Sequence, residues 1–339
     1  GQLIRFFHPA SPRALIPSKT TGKPLAVIVR LSHYRHCQPG REAIMSHNAN
    51  KKNSALALVA TIAALPLLVS PAQSFAAQRA LIIGAGDYQV LDADLIGIDA
   101  DMEMMMEVAL HLGFADDEIR VLHDEDATYA NIESAMTTWV REGVTEEDNV
   151  FIYFSGHGSR VADTNGDEED GIDEIFLPTD AYIRRNRQPD EPRFGNVVFD
   201  DQMATWLDAI PTAQLIVLID SCYSGSITRR VPLSNLSMGT DTGQLKYFGF
   251  AGAPRSVNTR ATDSVFDGEM LNYAGLSASR GDEPAITTIS GGYFSQGVWR
   301  AINDAVRDKQ PITMQELHDA ATRFVDSRMD EDRMFFPTL

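Results

Sequence analysis

The sequence predicts an α/β domain whose central sheet is mainly parallel and is covered by helices on both faces. Three segments consist only of apolar residues, ALII at 80–83, VFIYF at 150–154 and LIVLI at 215–219, as is typical of buried parallel strands. Segments with helical spacing of apolar residues separate them, which indicates strand–helix alternation. The 339 residues, 44% of them apolar, are sufficient for a substantial core.

The individual strands and helices are predicted from the local spacing of apolar residues and from residues that typically begin or end a helix. The predicted strands are 80–83, 118–122, 150–154, 215–219 and 273–278, with a last strand near Phe335. The predicted helices are 99–112, 128–141, 202–210, 294–304 and 313–327. Thr128 is the expected N-cap of the second helix, and Asp200 or Asp201 that of the third. The stretch from Ser234 to Gly268 lacks periodicity and predicts a long loop.

The charge is strongly acidic and unevenly distributed. The chain has 47 acidic and 29 basic residues, a formal charge of -18, and residues 77–339 alone carry a net charge of -26. Such a surface repels nucleic acid and anionic membranes and favours cations or basic peptides. A surface adapted for solubility is the alternative explanation of most of these acids.

Residues 45–76 have the pattern of a secretory signal peptide. Lys51 and Lys52 precede a 15-residue apolar run at 55–69, and Ser74 and Ala76 are small residues suited to a cleavage site. The run is short for a membrane span, which needs about 20 residues. We expect a leader that is removed on export to the periplasm or beyond, with no stable membrane association afterwards; an uncleaved anchor is the alternative. On this interpretation, residues 1–44 are translated upstream sequence, or they result from a start site placed too early.

Two of the apolar strands end in small-residue turns that carry a reactive side chain. His157 follows the strand at 150–154, and Cys222, the single cysteine after the leader, follows the strand at 215–219. Active groups collect at the carboxyl edge of a parallel sheet. A lone cysteine is by default a buried apolar residue, but a neighbouring imidazole would make its thiol a nucleophile. The backbone N–H groups of Gly158 and Cys222 are candidates for stabilising an oxyanion.

Three motifs resemble the caspase-fold cysteine peptidases, and within them the metacaspases and their bacterial relatives. They are LIIGAGDY at 81–88, SGHG at 155–158 and DSCYSG at 220–225, and the resemblance extends from about Arg79 to near the C-terminus. It implies a caspase-like sandwich with a large-subunit-like part at 77–230, a linker at 231–270 and a small-subunit-like part at 271–339. It also implies a Cys222–His157 dyad that hydrolyses peptide bonds through a thioester.

The resemblance further implies cleavage after Arg or Lys in protein or peptide substrates. Asp101, Ser155 and Asp220 match the family's acidic substrate pocket. Independently of the family, two carboxylates near the nucleophile favour a cationic side chain. Asp101 is alternatively a first-turn acid that complements its helix dipole.

Calcium is the one cofactor suggested, and no organic cofactor is expected. Residues 163–174 contain seven acids, and clustered carboxylates suit Ca²⁺, although the run is not an EF-hand because Glu168 stands where that loop needs glycine. The resemblance implies ligands at Asp173, Asp200 and Asp201. Arg229 stands where the family has a further aspartate, so that ligand is missing. A solvated acidic loop is the alternative.

The long loop also contains basic residues at which an Arg/Lys-specific enzyme would cut itself. The candidates are Arg229, Arg230, Lys246, Arg255 and Arg260. Two other functions are left open: a related peptidase of different specificity, for instance for Asn, and a catalytically silent module that binds calcium or a partner. The oligomeric state does not follow from the sequence.

Overall fold

A computed structural model describes the parts of the chain that form the domain. The described residues are 3–7, 26–30, 77–163, 166, 168, 171–184, 193–222, 243–249, 273–279 and 285–335, with side chains between 77 and 330. The leader predicted at 45–76 lies outside them. No helix within this described part is both long and apolar enough to cross a membrane.

The element order follows the alternation that the sequence predicts. The strands are β1 Leu3–Phe7, β2 Ala26–Arg30, β3 Arg79–Gly84, β4 Ile119–His123, β5 Asn149–Ser155, β6 Gly158–Ala162, β7 Ile172–Phe176, β8 Tyr182–Ile183, β9 Phe194–Gly195, β10 Val198–Phe199, β11 Gln214–Asp220, β12 Gln244–Leu245, β13 Ala274–Ser277, β14 Ile286–Thr288, β15 Gly291–Gly292 and β16 Ile312–Thr313. The helices are α1 Ile98–His111, α2 Tyr129–Thr137, α3 Asp200–Asp208, α4 Tyr293–Asp308 and α5 Met314–Phe335.

Within the described residues, the central sheet has five strands in the order β13-β11-β5-β3-β4, and all four pairings are parallel. The chain first adds β4 on one side of β3 and then β5 on the other. This reversal produces a crevice at the carboxyl edge, where ligands bind in open α/β sheets. The predicted fold class is therefore confirmed.

Alternate residues of the buried strands serve two separate cores, one on each face of the sheet. Leu81 and Ile83 pack with residues of α2 and α3. Ala80 and Ile82 pack on the opposite face with residues of α1, α4 and α5. Because both faces are covered, the strands must be apolar throughout, which explains their continuous hydrophobic runs.

Most predicted boundaries agree with the structure within a few residues, and two details differ. Thr128 caps α2 as predicted, since its hydroxyl accepts the Asn131 N–H. Asp200 and Asp201 instead lie inside the first turn of α3, whose N-cap is Phe199; there they complement the helix dipole. The strand near Phe335 is wrong because α5 continues to that residue, in a segment free of Gly and Pro.

Part of the predicted long loop is a strand. Residues 243–249 are described, and within them β12 pairs antiparallel with β14, which in turn pairs with β15. A second small sheet, β10-β7-β6, begins at Gly158, directly after the histidine turn. Gly158 also forms a parallel bridge with Tyr247. The segment 243–249 is therefore extended between the two small sheets.

Candidate active site

The strands β5 and β11 end side by side, and the two predicted catalytic residues follow their ends. Ser155, the last residue of β5, is paired in register with Asp220, the last residue of β11. His157 follows Ser155 by two residues, and Cys222 follows Asp220 by two residues. The common register therefore brings both turns to one position on the carboxyl edge of the sheet.

His157 is held by contacts at its backbone and its ring. Its backbone N–H donates to the Tyr88 hydroxyl at 2.8 Å, and its ring Nε2 lies 2.8 Å from the Ala93 carbonyl oxygen. A carbonyl only accepts hydrogen bonds, so in the neutral ring Nε2 carries the proton and Nδ1 keeps the lone pair. Nδ1 is therefore the atom able to accept a proton from a thiol.

Burial lowers the pKa of His157 to about 4, although hydrogen bonding to backbone groups opposes this shift. The charge of the nearby Lys246 ammonium lowers it further. At neutral pH the imidazole is uncharged, which is the state a general base requires.

The predicted substrate pocket contains the side chain of Lys246. Its ammonium donates to Asp101 Oδ2 at 2.7 Å and to Ser155 Oγ at 2.8 Å, and it lies 2.9 Å from Asp220 Oδ2. These three acceptors match the three donors of an ammonium group. The structure thus brings together the three pocket residues that the sequence predicted, around a lysine of the same chain.

The pocket is fully buried and its charges depend on each other. Lys246, Asp101 and Asp220 all have essentially no solvent exposure. Burial alone would lower the pKa of Lys246, but the two carboxylates more than offset this and raise it. Burial and the charge of Asp220 raise the pKa of Asp101, and Lys246 opposes that rise. The two buried carboxylates therefore favour a cationic side chain between them, and Lys246 supplies it.

The backbone carbonyl of Lys246 lies at the predicted oxyanion position. It accepts hydrogen bonds from the N–H of Gly158 at 2.9 Å and from the N–H of Cys222 at 3.3 Å. Cys222 itself is completely buried. Lys246 therefore has its side chain in the acidic pocket and its carbonyl oxygen between two backbone donors.

Two residues that the sequence reasoning missed complete the pocket wall. The N–H of Gly292 donates to Asp101 Oδ1 at 2.7 Å, and Ser295 donates from both its N–H and its hydroxyl to Asp220. A Cβ at Gly292 would lie 2.1 Å from Asp220 Oδ2 and 2.6 Å from Lys246 Nζ, so only glycine fits. The Gly291-Gly292 pair before α4 is the sequence signal that could have indicated this approach.

The structure changes the interpretation of Lys246, one of the cleavage candidates in the predicted long loop. Lys246 was expected in an exposed segment, yet it is fully buried in the cleft because its ammonium is the counter-ion of the pocket. The other cleavage candidates, Arg229, Arg230, Arg255 and Arg260, lie outside the described residues.

The predicted calcium ligands lie on β7 and at the start of α3. Burial raises the pKa of Asp200 to about 7, and the charges of Asp201, Glu168 and Asp173 contribute to the rise. Within the described residues, Asp173, Asp200 and Asp201 do not bring one ligand atom each within 4.8 Å of one another. The three acids interact electrostatically but are not closely gathered.

Another group in the described part of the chain does bring one ligand atom from each residue within 4.8 Å of the others. It consists of Asp99, His123 and Asp124, where His123 Nε2 lies 3.2 Å from Asp99 and 3.3 Å from Asp124. Asp99 is mostly exposed. Asp124 Oδ1 also accepts the N–H groups of Gly86 and Asp87, so this carboxylate has a structural role in the loop after β3.

The profile of the Caspase domain family, Peptidase C14, matches residues 77–333. The chain belongs to this caspase-domain family. Metacaspase-1A of Neurospora crassa is 31% identical over 158 residues, and Metacaspase-7 of Arabidopsis thaliana is 31% identical over 159 residues. Each alignment includes 44% of this chain, but only 32% and 36% of the respective relative, so the chain spans about a third of their length.

Among solved structures, protein GSU0716 from Geobacter sulfurreducens resembles this caspase-domain chain with a TM-score of 0.51 and 19% identity. The match covers 73% of this chain and 88% of that structure. At this level of identity the likeness concerns the fold alone, which agrees with the parallel sheet and its two helical layers.

The depressed pKa of His157 predicts a specific pH dependence of stability. Its folded pKa is about 4, whereas the unfolded ring titrates near 6.5, so protons bind preferentially to the unfolded chain between these values. As the pH falls from 7 to 4, we expect the free energy of unfolding of Cys222→Ala protein to decrease by up to about 3 kcal/mol because of this histidine. Urea unfolding at both pH values, compared with Cys222→Ala/His157→Gln, isolates the contribution. An identical pH dependence in the two variants would contradict the assignment.

Proposed function

We propose that the protein is a cysteine endopeptidase that cleaves after Arg or Lys, with Cys222 as nucleophile and His157 as base. The observation that carries this proposal is the binding of the Lys246 residue, whose ammonium meets two carboxylates while its carbonyl oxygen accepts from Gly158 and Cys222. A substrate with a basic residue before the scissile bond would make the same contacts.

The reaction follows from these contacts. His157 Nδ1 accepts the thiol proton as the sulfur of Cys222 attacks the carbonyl carbon, and the oxyanion is stabilised by the two N–H donors. The proton then passes to the leaving amine as the carbon–nitrogen bond breaks and a thioester forms. Water, deprotonated by the same imidazole, hydrolyses the thioester and restores the thiol.

The pocket has one acceptor that lysine leaves unused. The buried Asp220 Oδ1 has no hydrogen-bond partner among the described residues when lysine occupies the pocket. A guanidinium has five donors in a planar fork and suits a carboxylate pair better than an ammonium does. We therefore expect arginine substrates to displace Lys246 more readily than lysine substrates do.

Specificity can be tested with two matched aspartate variants. We expect peptides with Arg or Lys before the scissile bond to be cleaved and those with Asp or Asn to be spared. Asp101→Asn should reduce kcat/KM for the Arg peptide at least about 30-fold, since a buried charge loses its partner. Asp99→Asn, an exposed acid two residues away, should not.

In that assay Cys222→Ala should abolish turnover. Equal kcat/KM for Arg and Asp peptides would refute the basic specificity. Folded wild-type protein that cleaves none of the peptides would favour the silent binding module instead.

Self-processing at the Lys246–Tyr247 bond is part of the proposal, because this bond already has the contacts of a substrate. Wild-type protein should yield a fragment beginning at Tyr247, and Lys246→Ala should remove this cut because the pocket loses its cation. Lys246→Arg should keep it, and Lys309→Ala, which alters an exposed lysine, is the control. Intact mass spectrometry of each variant, beside Cys222→Ala, gives the result. A cut at the same bond in Cys222→Ala protein would exclude self-cleavage.

We propose that Asp173, Asp200 and Asp201 bind calcium, because carboxylate oxygens are the ligands that this cation prefers. Asp173 lies on β7 and pairs with Val161 of β6, the strand whose first residue is the oxyanion donor Gly158. A cation here would therefore stabilise the strand beside the cleft. Arg229, at the expected fourth ligand position, lies outside the described residues.

Calcium binding can be measured without reference to activity. Isothermal titration of Cys222→Ala protein should show one site that Asp200→Asn weakens at least about tenfold, since a charged ligand is lost. Asp304→Asn serves as the matched control because it removes an exposed acid outside the proposed ligand set. Unchanged affinity in the Asp200 variant would reject the site.

A further inference from the structure

The residues after the proposed scissile bond are held in the cleft as closely as Lys246. Tyr247 is only 5% exposed, and Phe248 packs against the core beside the histidine turn. From these contacts we propose that the cleft contains two subsites for aromatic side chains immediately after the scissile bond. Its substrates would be polypeptides with a basic residue followed by two aromatic residues. This inference rests on the proposed function and adds the substrate class.

The chain path after the bond is fixed by backbone contacts that any sequence could make. The Phe248 N–H donates to the Gly158 carbonyl at 2.9 Å, and the Ser159 hydroxyl donates to the Phe248 carbonyl at 2.7 Å. Gly158 thus binds the residues on both sides of the bond, through its N–H to Lys246 and its carbonyl to Phe248. A substrate whose basic side chain and carbonyl are fixed in the same way must follow this path.

The first aromatic subsite lies against the nucleophile. Tyr247 packs with Cys222 and Ala285, and Ala278 borders this small cluster. A small side chain here would leave apolar surface next to the sulfur open to water. An aromatic ring instead removes that surface from solvent, which favours binding in proportion to the area buried.

The second aromatic subsite is built from rings. The Phe248 ring lies 6.1 Å from the His157 ring at 61° and 6.5 Å from the Phe194 ring at 77°. Both arrangements are edge-to-face, a geometry that stabilises aromatic pairs beyond their buried area. The Phe248 ring lies beside the nearly buried imidazole, so an aromatic residue at this position limits the access of water to the proton-transfer step.

The residues before the basic position are held by contacts of a different kind. Gln244 Oε1 accepts the Ile96 N–H at 2.8 Å, and the β12 backbone pairs with β14. Leu245 is half-buried at the edge of the Cys222 cluster. Aromatic recognition is therefore expected on the side of the leaving amine.

The test uses full-length wild-type protein and quenched peptides derived from residues 243–249. The parent GQLKYFG is compared with GQLKAFG, GQLKYAG and GQLKAAG, and with GQLEYFG as the control for the basic position. We expect each single alanine to lower kcat/KM about tenfold and the double replacement about a hundredfold. GQLEYFG should not be cleaved.

Equal kcat/KM for GQLKYFG and GQLKAAG, with GQLEYFG spared, would overturn the aromatic subsites and leave the basic specificity standing. Loss of discrimination between Lys and Glu would instead refute the proposed function. The two failures are therefore distinguishable in one experiment.

A second measurement does not depend on turnover. In Cys222→Ala protein, hydrogen exchange of the Phe248 and Gly158 amides reports how often the segment leaves the cleft. Tyr247→Ala/Phe248→Ala should accelerate this exchange at least about tenfold, whereas Gln244→Ala, on the other side of Lys246, should change it less. If the double variant exchanges no faster than Gln244→Ala, the aromatic subsites are rejected.

Discussion

A buried ammonium shared by two carboxylates is the interaction on which the cleft depends. Lys246, Asp101 and Asp220 come from a loop segment, from α1 and from β11, so this contact joins three distant parts of the chain. Removing one member would leave uncompensated charge in a fully buried site, which is strongly destabilising. The contact therefore holds segment 243–249 in place.

In the proposed enzyme, the same contact fills the part of the cleft that a substrate would use. The lysine fills the pocket proposed for a substrate side chain, its carbonyl accepts from the two backbone donors, and the Phe248 ring lies edge-to-face with the imidazole. A peptide must displace all of these contacts, or the enzyme must first cut its own strand. Latency and specificity thus have one physical origin, because the segment that closes the cleft uses the groups that would recognise a substrate.

The parallel sheet explains why so few residues suffice to build the site. Ser155 and Asp220 face each other because β5 and β11 pair in register, and the catalytic candidates follow two residues later on each strand. Glycine at 292 then allows α4 to begin against the pocket, since any side chain there would collide with Asp220. The geometry of the site is accordingly set by strand register and one close helix approach.

The sequence by itself determined the fold class and the two strand ends, because these depend on local periodicity and on motifs only a few residues long. The resemblance to metacaspases pointed to Asp101, Ser155 and Asp220, which the structure places around Lys246. The sequence could not place Lys246, since a loop of irregular composition carries no periodic signal and the lysine is positioned by charges distant in sequence. It also misplaced the N-cap of α3 and the strand near Phe335, where local signals were ambiguous. Only the tertiary structure decided that the cleft is closed by its own chain, because burial, charge pairing and backbone pairing act there together.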